Sequence, residues 1–469
     1  MRRVLSVLLL LAFAQATRAT TVHYARATIT FQWTAQGLQA RTQAAAALWH
    51  FEPVSRSFSS NGAHFAPAQQ RCTAQGIAGG GPPAALLLDR NSDDHIDRAQ
   101  GDSARLVFGA MLDGRTSAWF ALDVSDPFSP SLRWVRTQDE LPGLGEALNA
   151  PAFARLRIGA ANSDPEHFAV LFGAGKNPAS GPGLRLLALD ASNGALLWSA
   201  GTADGASLRT ATLRNAIGGA VAPVDLDGDG FADRLYVGDE GGAVWRFDLR
   251  NGAGATDFAS ATVIAQLDGA LRGTPDVAFM PTPGGAYLNI ALASGVPDDS
   301  TSRGWLYSLR DRLSAPALPA IHSADLPLAA DPVASDSRGW RLPLAPGEWL
   351  SGTPVTIDGR LLFTTFRRSE VAASDCQPLG GNRVHALSVV DASAVLDLDA
   401  DGRIDARDRS RALTQRELVH GVQIRLPRAP ATGEPPAPAP HCTAGTDLLP
   451  GCVPGRLARR TFWYRMDAD

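Results

Sequence analysis

The sequence predicts an all-β protein, a β-propeller of six to eight blades with an acidic loop built into one of its hairpins. Three observations predict it. Strand-like runs bounded by Gly, Pro, Asn and Asp recur along the chain, which holds 46 glycines and 32 prolines in 469 residues. A hairpin pattern of Ala-Leu-Asp, a turn and a Trp-bearing return strand repeats about every 60–80 residues, a spacing suited to propeller blades with insertions. The third is the regular step of aspartates in "VDLDGDGFADRLYVGDEGGAVWRFDL", residues 224 to 249, running straight into an apolar strand. A pair of β-sandwiches is the competing architecture, and it explains the recurring hairpins less well.

In chain order, residues 1–19 read as an export signal. Arg2 and Arg3 precede the apolar run Val4 to Ala14, and cleavage would follow Ala16 or Ala19. That run is short for a membrane span, and no later stretch reaches ~18 uninterrupted apolar residues. Residues 20–80 form an N-terminal segment in which "TVHYARATITFQW" predicts a strand and "AQGLQARTQAAAALW" a helix, from its Ala, Gln and Leu content. Residues 81–426 hold the propeller. Its hairpins are "SAWFALDVSDPFSPSLRWV" (117–135) and "LRLLALDASNGALLWSAG" (184–201), the latter turning at Asn193-Gly194. Looser copies lie at 241–252, 303–311 and 382–397. Residues 427–456 are a Pro-rich connector, and 457–469 a closing strand expected to pair near Thr28.

Composition is globular: 45% hydrophobic, 19% charged, net charge −4. The basic residues are nearly all Arg and form no dense cluster, which argues against nucleic-acid binding. The four cysteines are Cys72, Cys376, Cys442 and Cys452. An oxidising compartment permits disulfides, and Cys442–Cys452 is the favoured pair; the partnership of Cys72 and Cys376 stays open.

The acidic loops carry the chemistry. Asp225, Asp227 and Asp229 take positions 1, 3 and 5 of a D-x-D-x-D-G-x-x-D pattern, with Gly230 at 6, the Phe231 carbonyl at 7 and Asp233 at 9. Calcium takes ~6–8 oxygens, so a short loop must curl around it, and Mg²⁺ fits less well. Position 12 is Tyr236 and a strand follows, so this is an EF-hand-like Ca²⁺ loop in a β-hairpin. A second loop places Asp397, Asp399, Asp401, the Arg403 carbonyl and Asp405 alike, adds Asp408 at position 12, and precedes "ARDRSRALTQREL", which predicts a helix. A third candidate offers Asp89, Asn91, Asp93 and Asp97, with Asp94 in place of the glycine. A solvated acidic turn is the alternative for each.

Catalytic constellations are not found. The nine histidines are scattered, "FGAGKNP" lacks the features of a phosphate loop around Lys176, and His385 reads as a packed strand residue.

The segment at 224–249 resembles the signature of the PilC/PilY family, type IV pilus biogenesis factors and tip-associated adhesins. "FGAMLDGRTSAWFALDVSDPFSP", "FAVLFGAGKNP", "RGWRLPL", "TPVTIDGRLLFTTF" and the terminal Arg-Arg-Thr-Phe-Trp also resemble the family's C-terminal propeller. The resemblance runs from about residue 85 onward; it does not include the large N-terminal region of many members, nor an Asn-Asp-Gly-Met-Leu-His segment. It implies a modified propeller whose calcium ligands match Asp225, Asp227, Asp229, the Phe231 backbone and Asp233. It also implies a non-enzymatic fimbrial assembly role in pilus extension, retraction and twitching motility. The implied partners are the pilus machinery (minor pilins and the pilus tip), with a surface or host ligand for cell adhesion as a further candidate. The implied location is the periplasm, outer membrane surface or pilus tip. Two alternatives stay open: a quinoprotein (PQQ-dependent) dehydrogenase-like propeller and a generic exported protein-binding propeller.

Overall fold

The computed structural model describes residues 5–8, 19–60, 72–77, 81–452 and 465–468, except 26, 35–36, 45–46, 54, 74–75, 92, 94, 113–116, 146–148, 160–165, 176–182, 283–284, 296–302, 314–317, 330–336, 372–377 and 426–440. It divides into two compact units, the first comprising Met1–Thr73, Ile77–Val263 and Phe462–Asp469, the second Ala74–Gly76 and Ile264–Thr461. Both are built mainly from antiparallel meanders, in which most strands pair with their chain neighbours.

Unit 1 contains four such meanders in chain order. The first runs Ala19–Tyr24, Ala27–Thr34, Gly37–Thr42, Ala47–Glu52 and Ser57–Ser60, and the second Ala84–Leu88, Ser103–Met111, Ser117–Asp123 and Ser131–Thr137. The third runs Ala152–Arg157, Glu166–Gly173, Leu184–Asp190 and Leu196–Gly201, with the short Leu208–Arg209 added in parallel. The fourth begins Ala222–Val224, Arg234–Gly238 and Ala243–Leu249.

Consecutive sheets pack face to face, which explains why "SAWFALD" is apolar almost throughout rather than alternating. Successive residues of a strand point to opposite faces, and here both faces are covered. Phe120 joins Phe51, ring centroids 5.7 Å apart, in the core between the first and second sheets. Its neighbour Trp119 stacks at 4.0 Å on Phe172 in the next core. Trp198 then meets Phe247 edge to face at 5.9 Å in the third. The two predicted hairpins are equivalent in register: Ala121 faces Trp134, Ala188 faces Trp198, and each has a register shift at the following residue. Their turns share a device too. Asp123 Oδ1 accepts the N–H and hydroxyl of Ser125, and Asp190 Oδ1 those of Ser192.

The Asn193-Gly194 turn sits on the ring of Trp134. Gly194 has φ +71°, and a Cβ there would come 2.8 Å from that ring. Gly194→Ala should therefore lower unit 1 stability by roughly 1–3 kcal/mol in thermal melts, because both backbone and packing oppose it. A neutral result would mean that turn and ring part without cost.

Unit 2 continues the pattern. One sheet orders Asp276–Met280, Tyr287–Ser294, Trp305–Arg312 and Gly339–Pro343. Another centres on the long hairpin Arg360–Val371 and Pro378–Ser388, flanked by Glu348–Leu350, Val355–Ile357 and Ser410–Ala412. A small sheet of Val422–Arg425, His441–Ala444 and Asp447–Leu448 follows. It contains Cys442, which bonds Cys452 as the sequence predicts, Cα atoms 5.6 Å apart. Cys376 and Lys176 lie outside the described residues.

Three expectations are corrected. The segment 35–49 forms no helix where it is described, but the strand Gly37–Thr42 and the start of Ala47–Glu52. Leu38 pairs with Phe51 and Ala40 with Trp49, all buried; burying two aromatic rings outweighs helix propensities of under about 1 kcal/mol per residue. The segment after the second acidic loop is likewise no α-helix, but a 3₁₀ turn, Ala406–Arg409, and the strand Ser410–Ala412 pairing with Arg383–His385. Finally, Arg465–Ala468 pairs with Leu5–Leu8, not near Thr28. Both edges of Ala27–Thr34 are already taken by its chain neighbours, which close with far shorter loops.

Candidate metal centre

The first acidic loop links the opening two strands of its sheet, where Val224 pairs with Arg234. Its carboxylates fold the loop by capturing its own N–H groups. Asp225 accepts from Gly228 (2.7 Å) and Gly230 (2.9 Å), Asp227 from Asp229 (3.1 Å), Asp229 from Phe231 (2.8 Å) and Asp233 from Leu226 (2.6 Å). Gly228 and Gly230 adopt φ +81° and +88°, values that favour glycine. As a result, oxygens of Asp225, Asp227 and Asp229 lie within 4.8 Å of one another.

Asp233 stands beside this triplet. Burial first, then the charges of Asp227, Asp225 and Asp229, push its carboxyl above the ordinary range. Asp225 is raised in the same direction, by burial and by Asp229 and Asp227. Tyr236, at position 12, is fully buried in the strand and offers no carboxylate. A convergent set of carboxylate oxygens is the donor chemistry of a hard cation. These residues fit such an ion.

The second loop repeats the frame in unit 2. Oxygens of Asp397, Asp399 and Asp401 converge within the same 4.8 Å. Asp397 accepts from Gly402 (2.9 Å) and Asp401 from Arg403 (2.8 Å), the counterparts of two bonds in the first loop. Asp405 caps the 3₁₀ turn through the N–H of Arg407. Asp408 is buried and accepts from Leu398, Asp399 and Asp405, so it braces the loop from within. The bond from Asp405 first, then those from Asp399 and Leu398 and the charge of Arg407, hold the Asp408 carboxyl low against the opposing effect of burial.

The third candidate keeps the bracing and lacks the convergence. Asp102, which the sequence pattern did not single out, accepts from Arg90 (2.8 Å) and Asp97 (3.0 Å), as Asp408 does from Leu398 and Asp405. Asp97 caps a 3₁₀ turn as Asp405 does. Position 5 also holds: Asp93 accepts from the N–H of His95 at 2.9 Å. Asp89 is fully buried, and Asn91 turns its amide onto Asp93 and Gln100. Among the described residues no carboxylate triplet forms here. The signal available in sequence was an acid several positions past the loop, at 102 and 408.

His385 behaves as a packed residue. Its ring stacks on Phe363 at 4.4 Å, and burial, with Arg383 and Arg409, lowers its pKa to about 3. The ring is therefore neutral, and its 4.0 Å approach to Glu348 is bridged by the Thr365 hydroxyl rather than forming an ion pair.

No family model matches the chain. The type IV pilus biogenesis factor PilY1 of Pseudomonas aeruginosa strain PAO1 is 33% identical over 181 residues, 38% of this chain and 14% of that protein. A PilY1 homolog of Xylella fastidiosa is 26% identical over 342 residues, 62% of this chain and 22% of the relative. The crystal structure of the P. aeruginosa PilY1 C-terminal domain superposes with a TM-score of 0.64 at 18% identity, covering 91% of this chain and 93% of that one. The chain is thus similar in sequence to PilY1 and its homologues, and in fold to the PilY1 C-terminal domain. It spans about a fifth or less of the length of the curated PilY1 relatives, and its all-β, multi-sheet architecture is that of the PilY1 C-terminal domain. Among the described residues no helix is long and apolar enough to cross a membrane.

Proposed function

We propose that this chain is a calcium-binding, non-enzymatic type IV pilus biogenesis factor, exported and acting with the pilus machinery at the periplasm, outer membrane surface or pilus tip. Its meanders would form the blades of a modified β-propeller. The observation that carries this reading is the convergence of Asp225, Asp227 and Asp229 in a hairpin loop of a chain whose fold and sequence follow the PilY1 C-terminal domain. Four nearby carboxylates repel one another without a counter-charge. A bound divalent cation would supply that charge, with Asp225, Asp227, Asp229, Asp233 and the Phe231 carbonyl holding it. The second loop, with Asp397, Asp399 and Asp401, would hold another.

Complementation of a deletion strain tests the proposal. The wild-type gene should restore surface pili, and Asp225→Ala should restore roughly a tenth or less at equal protein level, since losing one anionic ligand commonly weakens an ion site at least tenfold. Full restoration by Asp225→Ala would remove calcium from the function. Failure of the wild-type gene in a strain that a PilY1 gene rescues would remove the pilus role.

A further inference from the structure

Phe231 is the odd residue of the first loop. Its side chain is 4% exposed although the flanking acidic loop faces water. The guanidinium carbons of Arg155 and Arg157 lie 4.3 and 4.4 Å from its ring centroid, well inside the distance at which a cation is drawn to an aromatic face. Both arginines belong to the strand Ala152–Arg157 of the preceding sheet. They are two residues apart and so project from one face. The intervening Leu156 is fully buried and belongs to the core shared with the ion-loop hairpin.

The backbone is tied at the same point. The N–H of Ala232 donates to the Arg155 carbonyl at 3.0 Å, and the Ala232 carbonyl accepts from Asn251 Nδ2 at 2.9 Å. Asn251 Oδ1 in turn accepts the N–H of Arg157 at 3.0 Å. Side chain and backbone on the two sides of the Phe231–Ala232 peptide are thus held by one neighbouring strand. The second loop provides the contrast. Arg403 occupies the position of Phe231 there, and it is exposed.

We infer that Arg155 and Arg157 are positioning residues of the first ion loop. By gripping the Phe231 ring they fix the backbone whose carbonyl completes the oxygen set. They also carry the filled or empty state of the loop into the strand Ala152–Arg157. The Phe231 end of the loop is the end joined to a second sheet, and the linkage is reciprocal: what the ion does to the strand, the strand does to the ion. This inference rests on the reading of the loop as a cation site.

The test is amide hydrogen exchange of the full chain with chelator and with Ca²⁺, alongside Ca²⁺ calorimetry, on an Asp399→Ala background that disables the second loop. Ca²⁺ should slow exchange at residues 152–157 by about tenfold, as local opening becomes linked to ion release. Phe231→Leu keeps an apolar side chain and should abolish the slowing; Phe231→Tyr keeps the ring and should retain it. Arg155→Gln with Arg157→Gln should match Phe231→Leu and leaves Phe231 itself in place should that variant not fold. Ca²⁺ binding with unchanged exchange at 152–157, or slowing that survives in both the leucine and the double glutamine variants, overturns the coupling and leaves the cation site standing. No Ca²⁺ binding on the Asp399→Ala background overturns the site, and the coupling with it.

Discussion

Asp239→Ala should lower the unfolding temperature of unit 1 by about 10 °C, a loss of roughly 3–5 kcal/mol. Asp239 directly follows Arg234–Gly238, the strand that leaves the first ion loop, and its side chain is fully buried. One carboxylate oxygen accepts the N–H groups of Gly241 (2.8 Å) and Ala243 (3.0 Å). The other accepts the indole N–H of Trp245 at 2.9 Å. Alanine would remove the acceptor of all three donors, two of which, the Ala243 N–H and the Trp245 indole, belong to buried residues, and each buried unsatisfied donor costs about 1–3 kcal/mol. Trp245 is itself 2% exposed, so water cannot replace the lost acceptor without opening the core. Asp239→Asn separates the contributions. It keeps an oxygen for the two backbone donors but turns an amide N–H toward the indole N–H, and should cost about half as much. Tryptophan fluorescence melts with exchange at residues 234–249 measure both variants; an Asp239→Ala melt within about 1 °C of wild type would show that the turn holds without its carboxylate.

What was legible in the sequence shares one property: its cause lies within a few residues. The Ala-Leu-Asp hairpins announce themselves because the Asp-x-Ser turn, the Asn-Gly turn and the returning Trp are local. The aspartates at alternate positions of both loops are legible because each binds an N–H two to five residues away. The errors and omissions have long-range causes. Residues 35–49 have a helical composition, yet Gly37–Thr42 and Ala47–Glu52 are strands because Trp49 and Phe51 are claimed by a core that includes Phe108 and Phe120. The third loop looked like a degenerate copy of the others, yet Asp102 gives it the same bracing as Asp408 gives the second. Nothing near Phe231 in sequence announces the arginines at 155 and 157, which reach it from another sheet.

On the proposed reading, Ca²⁺ should stabilise unit 1 by about 3 kcal/mol at a hundred times its Kd, or about 8 °C, and acid should erase that gain. The sign follows from the carboxyls of Asp225 and Asp233, both raised in the ion-free fold, first by burial and then by their acidic neighbours. A group whose folded pKa exceeds its unfolded value binds more protons when folded. Its stabilising contribution is complete below the ordinary carboxylate value of 3.8 and is lost as pH rises through the raised value. The ion-free protein is therefore relatively favoured by mild acid. The ion-bound protein behaves oppositely, because its ligands must be ionised and protons compete with the cation. The difference between melting curves with Ca²⁺ and with chelator cancels groups elsewhere in the unit. It should be full at neutral pH and shrink toward zero as pH approaches 3.8. Asp225→Asn adds a sign change that mere folding damage would not produce. Removing one of the repelling charges should leave the chelated protein as stable as wild type or more so, while cutting the Ca²⁺ gain to roughly a third or less. A Ca²⁺ gain that is independent of pH, or one that Asp225→Asn leaves intact, would show that the cation stabilises unit 1 from somewhere other than this loop.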